Sequence, residues 1–405
     1  MMTGAGKSGG GMSPGERQAV MGLSAIYVAR MLGLFMLMPV LSLDSGHLRG
    51  ATPFLLGLAV GIYGLAQALL QFPFGYASDR FGRKPVVAVG LALFIGGSLF
   101  GAFTDSMVGV VVARVLQGAG AVSAVLLAIA GDLTAEANRT KAMAAIGGSI
   151  SLAYLLGVAL GPFLYGLTGL RGTFLGAAAL GVVALWALYR WVPPVETEVQ
   201  SATGDWHAVV RVLARMPVIA VSTGIFLLQM TLGASFVVLS PEFVHVLHVP
   251  TDHLWLVYVP VMLVAGALMI YPVILVERRK KHLPMLAASG LLILVGAAVM
   301  AVWPGRFWPV MVAATVFFTG YNLASALLPS MMSRTTGPEL RGAVSGVYSV
   351  SQFMGIFVGS AVGGVALGRI GAPGVFWMIA FVGLLLMLQN ISGLFVHANR
   401  PVSDS

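Results

Sequence analysis

Apolar runs of about twenty residues follow one another along almost the whole chain, separated by short polar punctuation. Twelve runs can be marked out, near 20–43, 54–76, 85–103, 108–130, 142–166, 172–192, 217–240, 253–276, 284–303, 307–330, 341–366 and 373–396. A helix rises about 1.5 Å per residue, so each run can cross a hydrocarbon layer about 30 Å thick. None has the strict alternation over about 10 residues that a membrane barrel strand requires. The pattern predicts an all-α membrane protein with twelve transmembrane helices in two six-helix pseudo-symmetric bundles.

The division into halves comes from the one long polar segment between runs, 193–216, which opens on Pro193-Pro194. It is expected to be a linker on the side of the termini, with a candidate interfacial helix over 206–213. The bundles then span 20–192 and 217–396, flanked by a Gly/Ser-rich start at 1–19, read as disordered, and a short tail at 397–405. The second half repeats the first. An offset of 202 carries Arg139 onto Arg341 and Gly157, Gly161 and Gly166 onto Gly359, Gly363 and Gly368. Two six-helix halves in parallel repeat fit a transporter with a pseudo-two-fold axis along the membrane normal.

Composition agrees with this picture, with 58% hydrophobic and only 9% charged residues, where a soluble domain carries roughly 25% charge. The net charge of +9 would suit nucleic acid, but its placement decides otherwise. Of 23 Lys and Arg, 17 fall on the side that bears both termini, four on the other side and two inside spans. That bias predicts cytoplasmic termini by the positive-inside rule and leaves no nucleic-acid patch. With no small-residue cleavage site ahead of it, the first run reads as a start-transfer helix. There is no cysteine, so no disulfide framework or thiol chemistry is expected.

Candidate chemistry sits where polar residues interrupt the apolar background. The densest interruption is Gly75-Tyr76-Ala77-Ser78-Asp79-Arg80-Phe81-Gly82-Arg83-Lys84-Pro85, a predicted tight hairpin at the membrane surface. Asp132, at the same surface, is either a partner for its arginines or a solvated acid. Arg30 is placed near mid-membrane, where an arginine costs at least about 2.5 kcal/mol and must find a partner. It either locks helix packing through backbone carbonyls or lines a polar path. Tyr63, Gln67 and Gln71 share one face of the second span, and Arg114 and Gln117 share one face of the fourth. Gly157, Gly161, Pro162 and Gly166 form a small-residue face suited to close helix crossing. No acid lies mid-membrane; Asp44 and Glu242, at the outer ends of spans one and seven, are the coupling candidates, with Asp79, Asp132 or a histidine as alternatives. His245, His248, Asp252 and His253 make only a weak metal cluster, and no metal is expected. The chain lacks H-E-x-x-H, G-x-S-x-G and a phosphate loop, so an enzyme is not expected.

These motifs resemble the major facilitator superfamily. Its signature G-x-x-x-D-R-x-G-R-K is met by Gly75, Asp79, Arg80, Gly82, Arg83 and Lys84. Its span-four motif is met by Arg114, Gln117, Gly118 and Gly120, and its antiporter motif by Gly157, Gly161, Pro162 and Gly166, with Tyr165 in place of a glycine. Stretches such as Arg30-Met31-Leu32-Gly33 and Gly61-Ile62-Tyr63-Gly64 resemble the YajR-type branch of bacterial drug:proton antiporters. The resemblance implies a monomeric inner-membrane exporter of amphipathic drugs or metabolites. It would work by alternating access with the proton as coupling ion and no cofactor. It also implies a conformational latch: Asp79 caps a helix of the opposite half, and Arg80 or Arg83 pairs with Asp132. The alternatives are a carrier of organic anions with a cationic cavity, or a non-transporting sensor of the same fold.

Overall fold

The computed structural model describes residues 12–194, 215–279, 281–334 and 341–391. The interfacial helix expected over 206–213 and the tail at 397–405 lie outside the described residues. Helices α1 (Pro14–Leu41), α2 (Pro53–Phe81), α3 (Arg83–Phe103), α4 (Met107–Ala119), α5 (Ser123–Asp132) and α6 (Glu136–Trp191) build the first half. Helices α7 (Met216–Pro241), α8 (Trp255–Arg279), α9 (His282–Val302), α10 (Phe307–Arg334) and α11 (Arg341–Ile391) build the second. The described residues form no strand, only one isolated bridge between Arg49 and Ser106.

Among the described residues, ten helical spans are long and apolar enough to cross a membrane. Two of them are far too long for one crossing, and each is broken by a glycine. Gly169 (φ 67°, ψ −168°) interrupts α6 and Gly371 (φ 69°, ψ −176°) interrupts α11. That region of backbone space is open essentially to glycine alone, so each long helix is two spans meeting at one residue. The two glycines are themselves 202 residues apart, which adds a pair to the repeat.

Several boundaries differ from expectation for local reasons. Helix α1 starts at Pro14 because Ser13 and Glu16 form a capping box, so the last residues of the expected disordered start are helical. The charged stretch at 75–85 is not a loop: α2 runs to Phe81, α3 starts at Arg83, and Gly82 (φ 90°) alone makes the connection. Span four breaks into α4 and α5, with Gly120 to Val122 outside helical geometry.

The surface is apolar where it meets lipid, with Leu69, Phe72, Leu268 and Ile270 exposed. Exposed aromatics gather toward both ends of the spans. Tyr76, Tyr189 and Tyr271 lie near the face that carries the 75–85 stretch, and Phe103, Trp303 and Trp308 near the other. Two such belts match the two membrane–water interfaces. The first is called the basic face below, and the second the opposite face.

Inside each half, glycines let backbones touch. A Cβ on Gly161 would overlap the Met36 carbonyl of α1, and one on Gly359 the Met230 carbonyl of α7, so the same pair of spans crosses tightly in each repeat. Gly97 against Ala113 and Gln117 is repeated by Gly296 against Ala313 and Phe317. In lipid, where no hydrophobic force drives helices together, such close packing is the main source of association.

The halves meet along a second glycine seam near the opposite face. A Cβ on Gly57 or Gly61 would run into Ser360 of α11, and one on Gly64 into the Phe353 carbonyl. Phe163 of α6 and Trp255 of α8 add an edge-to-face contact at 6.3 Å. Toward the basic face the same helices still touch, but through a side chain: a Cβ on Gly346 would meet Phe72 at 3.7 Å, an ordinary van der Waals contact, and Gly75 has nothing within 4 Å. The described residues are therefore packed backbone to backbone at the opposite face and more loosely toward the basic face. Gly61→Val is expected to force this seam open at a cost of about 1–3 kcal/mol. The chain has no cysteine, so spin labels on Arg49→Cys and Arg306→Cys can follow the opposite face directly. Their separation should lengthen in the Gly61→Val background, and an unchanged distance would remove the seam from gating.

Candidate functional site

Two groups of polar residues stand out, one at the basic face and one buried in the first half. At the basic face, α2 and α3 turn about Gly82 and set Arg83 beside the end of α5. Arg83 Nε lies 2.9 Å from Asp132 Oδ2, an ion pair close in distance but poorly aligned as a hydrogen bond. Of the two arginines expected to reach Asp132, it is Arg83 that does so; Arg80 is exposed and lies over the Phe81 ring. Arg139 donates to the Gly131 carbonyl and borders the same pair. Lys84 donates to the Val192 carbonyl at 2.6 Å and lies over the Tyr189 ring, fastening α3 to the last turn of α6. Asp79 is exposed and, among the described residues, has no hydrogen-bond or ion-pair partner.

The Arg83–Asp132 pair lies wholly within the first half. It braces the α2–α3 turn against α5. Glu16 adds a second brace that the hydropathy pattern does not single out. Its carboxylate accepts from the Ala135 backbone N–H at 2.8 Å and from Asn138 Nδ2, tying the start of α1 to the start of α6. The Ser13-x-x-Glu16 spacing is the sequence signal that could have marked it.

The buried group is built around Arg30, which has no exposed surface. Its Nη2 donates to Tyr63 Oη at 3.1 Å and Gln67 Oε1 at 3.2 Å, and its Nη1 to Ser123 Oγ at 3.4 Å. Gln67 Nε2 also donates to Ser123 Oγ, at 3.0 Å, and Tyr27 Oη to the Ser123 carbonyl at 2.5 Å. Arg114, equally buried, donates to the Ala59 carbonyl and to Gln117 Oε1, and Gln117 in turn to Ser98 Oγ. Its guanidinium lies 5.1 Å from the Tyr63 ring centre. Arg30, Tyr63, Gln67, Arg114 and Gln117 are thus one network across α1, α2, α3, α4 and α5. Gln71, one turn from Gln67, is buried but has an unpartnered Oε1. Tyr27, Ser98 and Ser123 are members that the apolar pattern does not mark, and Ser123 lies at the break in span four.

The remaining candidates are dispersed. Asp44 accepts from Tyr165 Oη at 3.0 Å, so the tyrosine that departs from the antiporter motif ties α6 to the end of α1. Glu242 is 3% exposed, with an unpartnered Oε1, in a π turn at the opposite face. Gly157 and Gly161 pack on α1, Pro162 is buried within α6, and Gly166 is exposed. At the centre, Phe35, Tyr154 and Tyr321 form an aromatic row across the halves, with ring separations of 4.8 and 6.3 Å, and Tyr321 Oη donates to Gln229 Oε1. Among the described residues no three metal-ligating side chains converge.

The family model described as Major Facilitator Superfamily matches residues 23–360. The chain is a major facilitator. This major facilitator is 38% identical over 371 residues to the inner membrane transport protein YajR of Escherichia coli, covering 90% of this chain and 81% of that protein. It is 33% identical over 168 residues to multidrug resistance protein 2 of Bacillus subtilis, covering 40% of each. Its fold superposes with a TM-score of 0.74 on a bacterial homologue of the human lysosomal transporter Spinster in an inward-facing, occupied conformation. That match has 15% identity and covers 97% of this chain and all of the other. Homologues and fold are those of transporters, not enzymes.

Because one residue of the Arg83–Asp132 pair is partly open to solvent, the pair should be worth no more than about 1 kcal/mol of stability. Its larger effect is expected on transport. Arg83→Asp and Asp132→Arg should each impair uptake into vesicles, and the charge-swapped double variant should regain much of it. Two additive losses would show that the residues do not act through each other.

Proposed function

We propose that this major facilitator is a proton-coupled exporter of amphipathic or aromatic small molecules, working by alternating access in an inner membrane with its basic face cytoplasmic. The observation that carries this reading is the asymmetry of the inter-half contact. The glycine seam packs backbone to backbone at one face, and the contact between the halves is looser toward the other, beside the charged turn. The similarity to YajR supports the membrane, and the partial similarity to a multidrug resistance protein supports the substrate class. The lopsided distribution of Lys and Arg supports the orientation.

In the reverse state the seam opens and the basic face closes. Asp79, unpartnered here, then meets the start of a helix in the other half, with α11 beginning at Arg341 as the candidate. A carboxylate gains roughly 0.3–1 kcal/mol at a helix N-terminus, and protonation removes that attraction. The coupling ion would therefore act at carboxylates near span ends, Asp79 and Asp132 at one face and Asp44 and Glu242 at the other. A bias of this size shifts two conformers without a buried mid-membrane acid. The row Phe35, Tyr154 and Tyr321 supplies aromatic surface at the centre for an apolar cargo.

Proteoliposomes loaded with a fluorescent cationic or anionic dye, with and without an imposed pH gradient, test the reading. Wild-type protein should move the amphipathic cation against its gradient only when protons can flow the other way. Asp79→Asn should severely reduce the rate while inserting normally. Full activity of Asp79→Asn would sink the latch, and movement indifferent to pH would sink proton coupling.

A further inference from the structure

The buried network has a charge imbalance that its hydrogen bonds do not remove. Arg30 and Arg114 both have no exposed surface, and among the described residues neither forms an ion pair with a carboxylate. Every hydrogen-bond partner of Arg30 among the described residues is neutral: a phenol, an amide and a serine hydroxyl. Arg114 has an amide, a backbone carbonyl and the face of Tyr63. Each guanidinium also keeps one nitrogen without a hydrogen-bond partner, Nε on Arg30 and Nη2 on Arg114. Buried charges are ordinarily paired, and two of one sign sharing a single tyrosine are the least stable way to be hydrogen-bonded.

The break in span four puts a helix start at the same place. Gly120 to Val122 leave helical geometry, and α5 begins at Ser123 and runs ten residues. Its N-cap, Val122, offers no side-chain acceptor, so the first N–H groups of α5 are not capped by a side chain. Such groups carry a partial positive charge, and broken membrane helices present them to anionic groups. Arg30 is aimed at this end, with Nη1 on Ser123 Oγ.

We propose that the first half holds a site for a compact anionic group, a carboxylate or a small inorganic anion, between Arg30 and the start of α5. Arg30 supplies the charge and its free N–H. Ser123 contributes its hydroxyl and its place at the helix start, and Gln67 and Tyr63 fix the guanidinium from the other side. Arg114 adds field without contact. The site concerns binding and stands apart from whether drugs are exported, since a resident anion would serve the fold and a carboxylate would belong to cargo.

Purified full-length protein, with ionic strength held by a bulky sulfonate salt, is heated in rising sodium chloride or sodium benzoate. A saturable rise in Tm of about 3 °C is expected with at least one of the two. Arg30→Gln, which keeps an amide donor but no charge, should lose the rise, and Arg30→Lys should keep part of it. Labelled benzoate exchange across proteoliposomes then separates the sources: exchange marks a carboxylate cargo, and stabilisation by chloride without exchange marks a resident ion. If Arg30→Gln does not fold, the wild-type titrations and Arg30→Lys still decide. Equal Tm in chloride, benzoate and sulfonate would overturn the site and leave the spare N–H groups to water. A rise that persists in Arg30→Gln would overturn it as well.

Discussion

A guanidinium cannot be left bare in hydrocarbon, and the first half of this protein is arranged around that requirement. Arg30 on α1 reaches Tyr63 and Gln67 on α2 and Ser123 at the start of α5. Arg114 on α4 reaches the backbone of α2 and, through Gln117, Ser98 on α3. Five helices are thereby held in one register by bonds that lipid cannot replace. The hydroxyls and amides of the group have few other partners in an apolar bundle, so removing any one of them leaves its neighbours unpaired. That is a stronger constraint than the apolar packing around it, which can adapt to small changes in volume.

The second half follows the same backbone plan without this chemistry. Glycines recur at matching places, the long helices bend at Gly169 and Gly371, and the tight crossings on α1 and α7 correspond. Yet the positions two hundred residues after Arg114 and Gln117 are Ala314 and Phe317, and the second half fills that space with rings such as Phe317 and Phe318. Architecture was duplicated, and the charges remain with one copy. The first half is accordingly the one with buried arginines, and the polar bonds of the second, such as Tyr321 to Gln229, are between neutral groups.

Much of the fold was legible because hydropathy reports it directly: an apolar run either spans or does not, and a motif such as Gly75 to Lys84 carries its own spacing. Burial of Arg30 could also be read from depth alone. What the chain did not disclose were features set by three-dimensional neighbours. The break at Gly120, and with it the role of Ser123, depends on Gly120 meeting Gly90 of α3. That Arg83 and not Arg80 meets Asp132 follows from Gly82 turning the chain in a single residue. The Tyr165–Asp44 bond joins residues 121 apart. Glu16 is the exception: its capping box was written in the sequence, but hydropathy drew attention to the apolar run that follows.

The seam formed by Gly57, Gly61 and Gly64 against α11 has a consequence for selectivity. A contact made by glycines against backbone carbonyls and one short serine hydroxyl has few rotamers to choose among. It closes to one depth whatever the central space holds, and it is blind to the identity of the passenger. Recognition then falls to the walls of that space, and the closure itself can be shared by carriers of quite different molecules. A protein gated in this way could change what it carries by altering a few wall side chains, with its gate left untouched.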